Sequence, residues 1–185
     1  MQLANRPSPR TELPAQVAQV APPGAPAMFL TFMLDGESYA VHILSIKEII
    51  EYASVTPVPL MPPTITGVIN LRGAVVPVLD LSVRFGRRPT VIGRRSCIVI
   101  VETGPVGERQ VIGMIVDAVN AVQDIPPADI EPAPSFGMKI SSDFIAGIGK
   151  AGGRFLILLD VDRVLSVSEL AAIAPAPLPA LGAAK

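Results

Sequence analysis

A repeat within the chain constrains its fold more than any other feature of the sequence. When residues 67–85 are shifted by 80 positions without a gap, glycine, leucine and aspartate residues coincide. The coincident pairs are Gly67 with Gly147, Val68 with Ile148, Gly73 with Gly153, Leu79 with Leu159 and Asp80 with Asp160. A shift near 72 also places Ile43-Leu44 on Ile115-Val116. We therefore predict two copies of one structural unit, which are too few to form a solenoid.

Short apolar segments separated by glycine turns predict β-hairpins in both copies. Half of the residues are hydrophobic, and these are mostly aliphatic, which favours a sheet-rich core. Four or five short strands per copy are enough to curl into a small closed barrel without exposed edges. We predict a mainly β fold with two similar barrels packed side by side. The predicted strands are Met28–Leu34, Tyr39–Leu44, Ile65–Leu71, Ala74–Leu79, Ser96–Glu102, Gln110–Val116, Phe144–Ile148 and Arg154–Leu159.

Short helices are predicted after some of the hairpins, where the apolar residues change to helical spacing. Asp80 and Asp160 each follow a strand and precede a helix. We interpret both as N-cap residues, not as a pair of catalytic carboxylates. The predicted helices are Ser45–Glu51, Leu81–Phe85, Asp117–Val122 and Val161–Ala172.

The two ends of the chain are rich in Pro and Ala and show no hydrophobic period, which predicts disorder. We predict a disordered arm at residues 1–27, a folded region at 28–172 and a flexible tail at 173–185. Within the folded region, the barrels are predicted at about 28–90, together with the terminal helix, and at 91–160. The chain shows neither a signal peptide nor a membrane span, and its single cysteine fits a reducing cytoplasm.

Charge and composition argue against nucleic-acid binding. The net charge is −1, and aromatic residues make up only 4% of the chain, so neither a basic excess nor stacking aromatics are available. We interpret the pairs Arg87-Arg88 and Arg94-Arg95 as solvated loop charges.

The residues that could carry enzyme chemistry have simpler structural interpretations. The single histidine, His42, lies in an alternating strand without a cluster of metal ligands, and Cys97 lies in an apolar strand. Residues 147–152 fit the pattern G-x-G-x-x-G, but a strand follows them where a nucleotide site requires a helix. We predict no catalytic residue, no metal site and no cofactor.

One segment suggests a binding surface. Asn70 and Arg72 lead into the turn at Gly73, and the predicted helix at 45–51 offers Glu48 as a carboxylate partner for Arg72. Arg72 is either a solvated turn charge or part of this surface. We predict that Glu48 and Arg72 lie within about 8 Å of each other, close to hydrogen-bond reach.

With these segments in place, residues 28–172 resemble the CheW family of bacterial chemotaxis coupling proteins. The resemblance rests on residues 39–49, on Gly67-Val68-Ile69-Asn70-Leu71-Arg72-Gly73, and on Val76-Pro77-Val78-Leu79-Asp80-Leu81. It continues through Ile112-Gly113-Met114-Ile115-Val116-Asp117 and Gly147-Ile148-Gly149. The family resemblance implies two five-stranded SH3-like barrels. The arm at 1–27 lies outside it, and some relatives carry an acidic residue at the position of His42.

The resemblance also implies a non-enzymatic cytoplasmic scaffold. Its partners would be the regulatory domain of the histidine kinase CheA and the cytoplasmic tips of methyl-accepting chemoreceptors, in arrays that reach the inner membrane only through the receptors. The alternatives are a small-barrel interaction module for another chemosensory-type kinase, an enzyme, or a nucleic-acid-binding barrel. The partner-binding residues that it implies are Ile46, Glu48, Ile49, Gly67, Val68, Asn70, Leu71 and Arg72.

Overall fold

The computed structural model describes residues 24–166. Most of this region is β-strand, as predicted, and the helices in it are short. None of these helices is long and apolar enough to cross a membrane. The strands are β1 (Ala27–Leu34), β2 (Glu37–His42), β3 (Ile46–Glu51), β4 (Ile65–Leu71), β5 (Ala74–Asp80), β6 (Cys97–Thr103), β7 (Gln110–Val116), β8 (Ala118–Ile125), β9 (Ile130–Glu131), β10 (Ile145–Ala151) and β11 (Arg154–Leu159). The α-helices are α1 (Leu81–Arg84) and α2 (Val161–Val164), and single 3₁₀ turns cover Ile43–Ser45, Pro127–Asp129 and Ser142–Phe144.

The strands form two sheets, and each sheet closes into a barrel. The first has the order β8-β1-β2-β11-β10-β9, and β8 and β9 are consecutive in the chain, so a single bent segment supplies both edges. The second has the order β3-β6-β7-β5-β4. The chain that leaves β3 continues to Thr56, which pairs with Val68 in β4 and so joins the two edges. We call the first sheet barrel I and the second barrel II; both are five-stranded, because β8 and β9 act as one strand.

The barrels do not follow the predicted division into residues 28–90 and 91–160. Barrel II is the continuous segment from β3 to β7, and it is inserted into barrel I between β2 and β8. Strand β2 of the first copy pairs in parallel with β11 of the second, and β5 pairs in parallel with β7. Each copy of the repeat therefore gives two strands to one barrel and its remaining strands to the other. Sequence similarity identified equivalent strands correctly, but it carries no information on which copy each strand pairs with.

The repeat at an offset of 80 residues is confirmed in three dimensions. The hairpin β4–β5 pairs Ile65 with Leu79 and then Gly67 with Val78, after a bulge. The hairpin β10–β11 repeats this register and its bulge at positions 80 residues further on. Asp80 and Asp160 cap α1 and α2, as predicted, by accepting hydrogen bonds from backbone N–H groups of the first helical turn.

Apolar side chains form a separate core in each barrel and a larger core between the barrels. Both barrels contribute side chains to the central core, for example Phe32 and Tyr39 of barrel I and Val99 and Met114 of barrel II. An interface of this size and apolarity holds two units in a fixed relative position. The core of barrel I is built from Phe29, Ala40, Ile125, Leu156 and Leu158, and that of barrel II from Ile69, Val76, Val78, Ile98, Ile100 and Ile115.

Two predicted helices are strands in the structure. The segment predicted as helix Ser45–Glu51 is the end of a 3₁₀ turn followed by β3, and Asp117–Val122 lies mostly in β8. Both strands pair with a strand of the other copy, and this pairing outweighs a weak local helical pattern. The predicted helix Val161–Ala172 ends at Val164, and its residues 167–172 lie outside the described residues. The tail predicted at 173–185 and most of the arm predicted at 1–27 also lie outside them.

Candidate partner-binding surface

The turn between β4 and β5 presents Arg72 in an unusual backbone conformation. Arg72 and Gly73 both have positive φ angles, 51° and 88°, as a two-residue type I′ hairpin turn requires. The Asn70 side chain supports the turn by accepting a hydrogen bond from the Gly73 N–H at 2.8 Å. In the second copy, the equivalent turn is Gly152-Gly153, so the costly left-handed residue is avoided there. A left-handed arginine costs on the order of 1 kcal/mol, whereas glycine adopts this conformation without steric cost.

Arg72 forms an ion pair with Glu48, as predicted. Its Nη2 atom lies 2.9 Å from Oε2 of Glu48. The Arg72 side chain is 79% exposed, whereas that of Glu48 is 24% exposed. Such an exposed pair adds about 0–1 kcal/mol to stability, so its main effect is to orient the guanidinium. The predicted proximity was correct, although Glu48 lies on strand β3 and not on a helix.

The other predicted site residues divide into exposed and buried groups. Asn70 is exposed two residues before Arg72, and Ile49 is exposed on the face of β3 opposite to Glu48. Ile46 packs against the central core and Leu71 against the core of barrel II. Val68 is half-buried and belongs to the bridge with Thr56. The buried group therefore positions the surface, and the exposed group presents it.

Gly67 is part of the barrel closure. It is buried in β4 beside Val68, whose N–H and carbonyl both hydrogen-bond to Thr56 at 2.9 Å. A Cβ atom at position 67 would overlap the carbonyl group of Thr56. Only glycine lets these two backbones approach so closely.

Two features of this surface were not predicted from the sequence. Val75 is directly opposite Asn70 in the hairpin and is 73% exposed, so an apolar side chain flanks Arg72. On the outer side of β3, Lys47 pairs with Glu102 at 3.1 Å, and Arg109 approaches the same carboxylate at 3.5 Å. The hydrogen bond from Lys47, together with both positive charges, holds the pKa of Glu102 below its usual range. The sequence of β5 is apolar from Ala74 to Leu79, so it carried no signal that Val75 would be exposed.

Two polar networks tie the barrels together behind this surface. Arg87, in the loop after α1 in barrel II, donates to Glu37 at 2.7 Å and to the Tyr39 hydroxyl at 3.1 Å in barrel I. Burial and the hydrogen bond to Glu37 raise the pKa of Tyr39. Burial alone would raise the pKa of Glu37, but its hydrogen bonds from Arg87 and Tyr39 outweigh that effect and lower it.

The second network joins α2 to the turn after β6. Asp162 accepts hydrogen bonds from the Thr103 hydroxyl at 2.6 Å and from the Gly104 N–H at 2.9 Å. These two bonds lower the pKa of Asp162.

The residues considered as candidates for enzyme chemistry have roles in the fold. Nδ1 of His42 accepts a hydrogen bond from the Leu44 N–H at 3.2 Å, and its ring packs edge-on against Phe29. The glycines of the 147–152 motif lie in strand β10 and at the start of its hairpin turn, not before a helix. Within residues 24–166, no group of three or more His, Cys, Asp or Glu side chains could hold a metal ion.

Comparison with known proteins identifies the family. Residues 28–169 match the family model described as the CheW-like domain. The chemotaxis protein CheW of Klebsiella aerogenes is 34% identical over 159 residues, which cover 86% of this chain and 93% of that protein. The chemotaxis protein CheW of Bacillus subtilis is 35% identical over 136 residues, covering 74% and 85%. The crystal structure of the scaffolding protein TtCheW from Thermoanaerobacter tengcongensis superposes with a TM-score of 0.67 at 37% identity, covering 74% of this chain and 85% of that one.

Proposed function

The chain belongs to the CheW-like domain family, and on that premise we propose that it is a non-enzymatic scaffold that couples methyl-accepting chemoreceptors to the histidine kinase CheA. Its place in chemotaxis signalling follows from its similarity to chemotaxis proteins, because the similarity covers 93% and 85% of the two relatives. The two specific partners, a cytoplasmic location and recruitment to receptor arrays at the inner membrane are part of the proposal.

The observation that carries the proposal is the ion pair between Glu48 and Arg72. It fixes an exposed guanidinium close to the exposed apolar side chain of Val75, at the β4–β5 turn of barrel II. Protein interfaces combine such apolar contacts with a few oriented polar groups, and arginine is enriched among the residues that dominate binding. A left-handed arginine at this turn is easier to explain by binding than by stability.

The absence of a role in catalysis is supported by the environment of each candidate group. His42 uses its Nδ1 atom as a helix cap, Asp80 and Asp160 are N-caps, and the glycine motif is a hairpin. Each group is explained by the fold and none is paired with a nucleophile. A scaffold needs none of these groups for chemistry.

The experiment is a charge exchange at the ion pair. Glu48→Arg and Arg72→Glu should each weaken the ternary complex of this chain with CheA and a receptor cytoplasmic fragment, because like charges then repel each other and disorder the surface. The double variant should recover part of the binding, because opposite charges face each other again. All three should melt within a few degrees of wild type, since an exposed pair contributes little to stability.

The matched control is Arg154→Glu. Arg154 is an exposed arginine beside the equivalent turn of barrel I, where no partner surface is proposed. Ternary-complex formation is measured by co-sedimentation with receptor-containing membranes and by receptor-stimulated kinase activity. Single reversals that couple receptor to kinase as well as wild type would refute the proposal.

The alternative partner set is another chemosensory-type kinase and its receptors. The same surface would serve it, so the charge exchange alone does not separate the two. Affinity purification from the native cell separates them, because the recovered kinase identifies the pathway.

A further inference from the structure

The loop between α1 and β6 carries a concentration of unpaired positive charge. Residues 87–95, which we call the arginine loop, contain two arginine pairs separated by five residues. Arg87 is engaged with Glu37 and Asp35. Arg88, Arg94 and Arg95 are exposed, and their side chains form neither ion pairs nor hydrogen bonds with the part of the chain from residue 24 to residue 166. This is a local excess of three charges on a chain whose net charge is −1.

The arginine loop is held in place at its middle and at its end. Thr90 donates hydrogen bonds to the buried carboxylate of Asp80 from its N–H at 2.8 Å and from its hydroxyl at 2.9 Å. The Gly93 N–H donates to the hydroxyl of Ser96 at 2.8 Å. The carbonyl of Ser96 in turn accepts a hydrogen bond from the N–H of Tyr52 at 3.1 Å. A loop fixed in this way loses little conformational entropy when it binds a partner.

Apolar side chains lie between the two arginine pairs. Val91 is 88% exposed and Ile92 is 42% exposed. Beside them is a groove of about 340 Å³, to which the loop itself contributes. Its polar lining residues are Thr66, Asp80 and Thr90, and the apolar ones are Tyr52, Pro63, Ile65, Val83, Pro89, Ile92 and Ile115. The loop therefore combines a positive rim with a concave apolar site.

The chain's own charged segments do not complement this site. Residues 1–23 contain two arginines and one glutamate, and residues 167–185 contain one glutamate and one lysine. Asp35 and Asp117 line the same depression as Arg88, but Asp35 pairs with Arg87, and Arg94 and Arg95 are not among the residues that line this depression. Glu51 is opposite Cys97 on β3 and is a single acidic group near three arginines. The excess of positive charge is therefore available to a separate molecule.

We propose that the arginine loop is a docking site for an acidic segment of a partner protein, with an aliphatic or aromatic side chain that enters the groove. Arginine matches carboxylates through paired N–H donors, which favours Glu and Asp side chains. A concave apolar groove favours a protein side chain over the flat surface of a membrane. The site is separate from the surface around Arg72, so it stands or fails independently of the proposed function.

The test uses a fluorescein-labelled 16-residue peptide in which Glu and Leu recur at i, i+4 spacing. A second peptide replaces each Glu by Gln. Fluorescence anisotropy at about physiological ionic strength should show binding of the Glu peptide to the full chain, and at least tenfold weaker binding of the Gln peptide. Binding should weaken as salt is raised, because exposed charges are screened.

Variants locate the site. The triple variant R88Q/R94Q/R95Q should weaken binding of the Glu peptide at least tenfold, and I92S about threefold. The control R154Q removes an exposed arginine from barrel I and should change binding by less than twofold. Circular dichroism checks that the triple variant is folded, and the ternary-complex assay on the same protein reports the Arg72 surface separately.

Three results would overturn the proposal. The first is equal binding of the Glu peptide by wild type and the triple variant. The second is equal binding of the Glu and Gln peptides, since the positive rim would then have no role. The third is tighter binding to vesicles containing phosphatidylglycerol, or to a 20-base-pair DNA duplex, than to the Glu peptide, because the loop would then recognise a membrane or a nucleic acid.

Discussion

Replacing Gly67 by alanine tests whether barrel II is closed by the bridge between Thr56 and Val68. The added methyl group would overlap the Thr56 carbonyl and would lie 2.9 Å from the Cγ1 atom of Val55. The segment at 55–56 must then move away from β4. That movement breaks the two backbone hydrogen bonds of the bridge and withdraws Val55 from the core of barrel II.

The size of the effect follows from these two losses. Each backbone hydrogen bond contributes about 0.5–1.5 kcal/mol, and forcing a methyl group into a packed site costs about 1–3 kcal/mol. We expect the free energy of unfolding to fall by about 3 kcal/mol. For a chain of this length, that corresponds to a fall in Tm of roughly 6–12 °C.

The assay is urea unfolding followed by far-ultraviolet circular dichroism. Gly93→Ala is the matched control, because a Cβ atom there meets nothing within 4 Å, and it should change stability by less than about 0.5 kcal/mol. Gly147→Ala, at the equivalent position of barrel I, would place its Cβ 2.9 Å from the carbonyl oxygen of Glu131 and should be destabilising to a smaller extent. If Gly67→Ala unfolds at the same urea concentration as Gly93→Ala, the bridge does not close the barrel.

Three further predictions concern residues away from the closure. His42→Gln and Cys97→Ser should each leave partner binding within about threefold, or roughly 0.65 kcal/mol, as measured by titration calorimetry, and a larger loss in a folded variant would show a binding role. Because the pKa of Asp162 is lower in the folded state, its stabilisation is present above the unfolded-state pKa of about 3.9 and is lost as pH falls through the folded-state value. Asp162→Asn should therefore unfold earlier in urea than wild type near pH 6, with a difference that shrinks below about pH 4; a constant difference would contradict this. Arg72→Asn should retain or slightly raise Tm, because asparagine tolerates a positive φ, yet weaken ternary-complex formation, and unchanged coupling would assign Arg72 to the turn alone.

The sequence predicted the hairpins well because their signals are local. The Gly67–Asp80 pattern and its copy specify register over short distances, and the structure reproduces both hairpins. The pairing between copies depends on contacts far apart in the chain, and no local signal carries it. This is why the strands were identified while their assignment to barrels was wrong.

The two strands mistaken for helices each contain a bulge. In β3, Ile46 pairs with Val101 and Glu48 with Ile100, so Lys47 is an extra residue in a bulge. In β8, Asn120 is the extra residue against β1. In β8 the bulge interrupts the alternation of buried and exposed side chains. In β3 the alternation continues, and the spacing imitates a helix because Glu48 is partly buried while Ile49 is exposed. The pairing of Glu48 with Arg72 was nevertheless predictable. The two residues have opposite charges, and they lie on neighbouring segments of the first copy of the repeat.

The insertion of one barrel into the other has a consequence for a scaffold. Barrel II is joined to barrel I by two short connections, the 3₁₀ turn Ile43–Ser45 and the single residue Asp117. Between these connections, the central core and the contacts of Arg87 and Asp162 link the barrels at separate points. Relative motion of the barrels would have to break polar and apolar contacts together, so the angle between them is fixed. A partner bound to barrel II, near Arg72 or at the arginine loop, would therefore keep a constant orientation relative to the whole molecule, which is a property expected of a rigid scaffold.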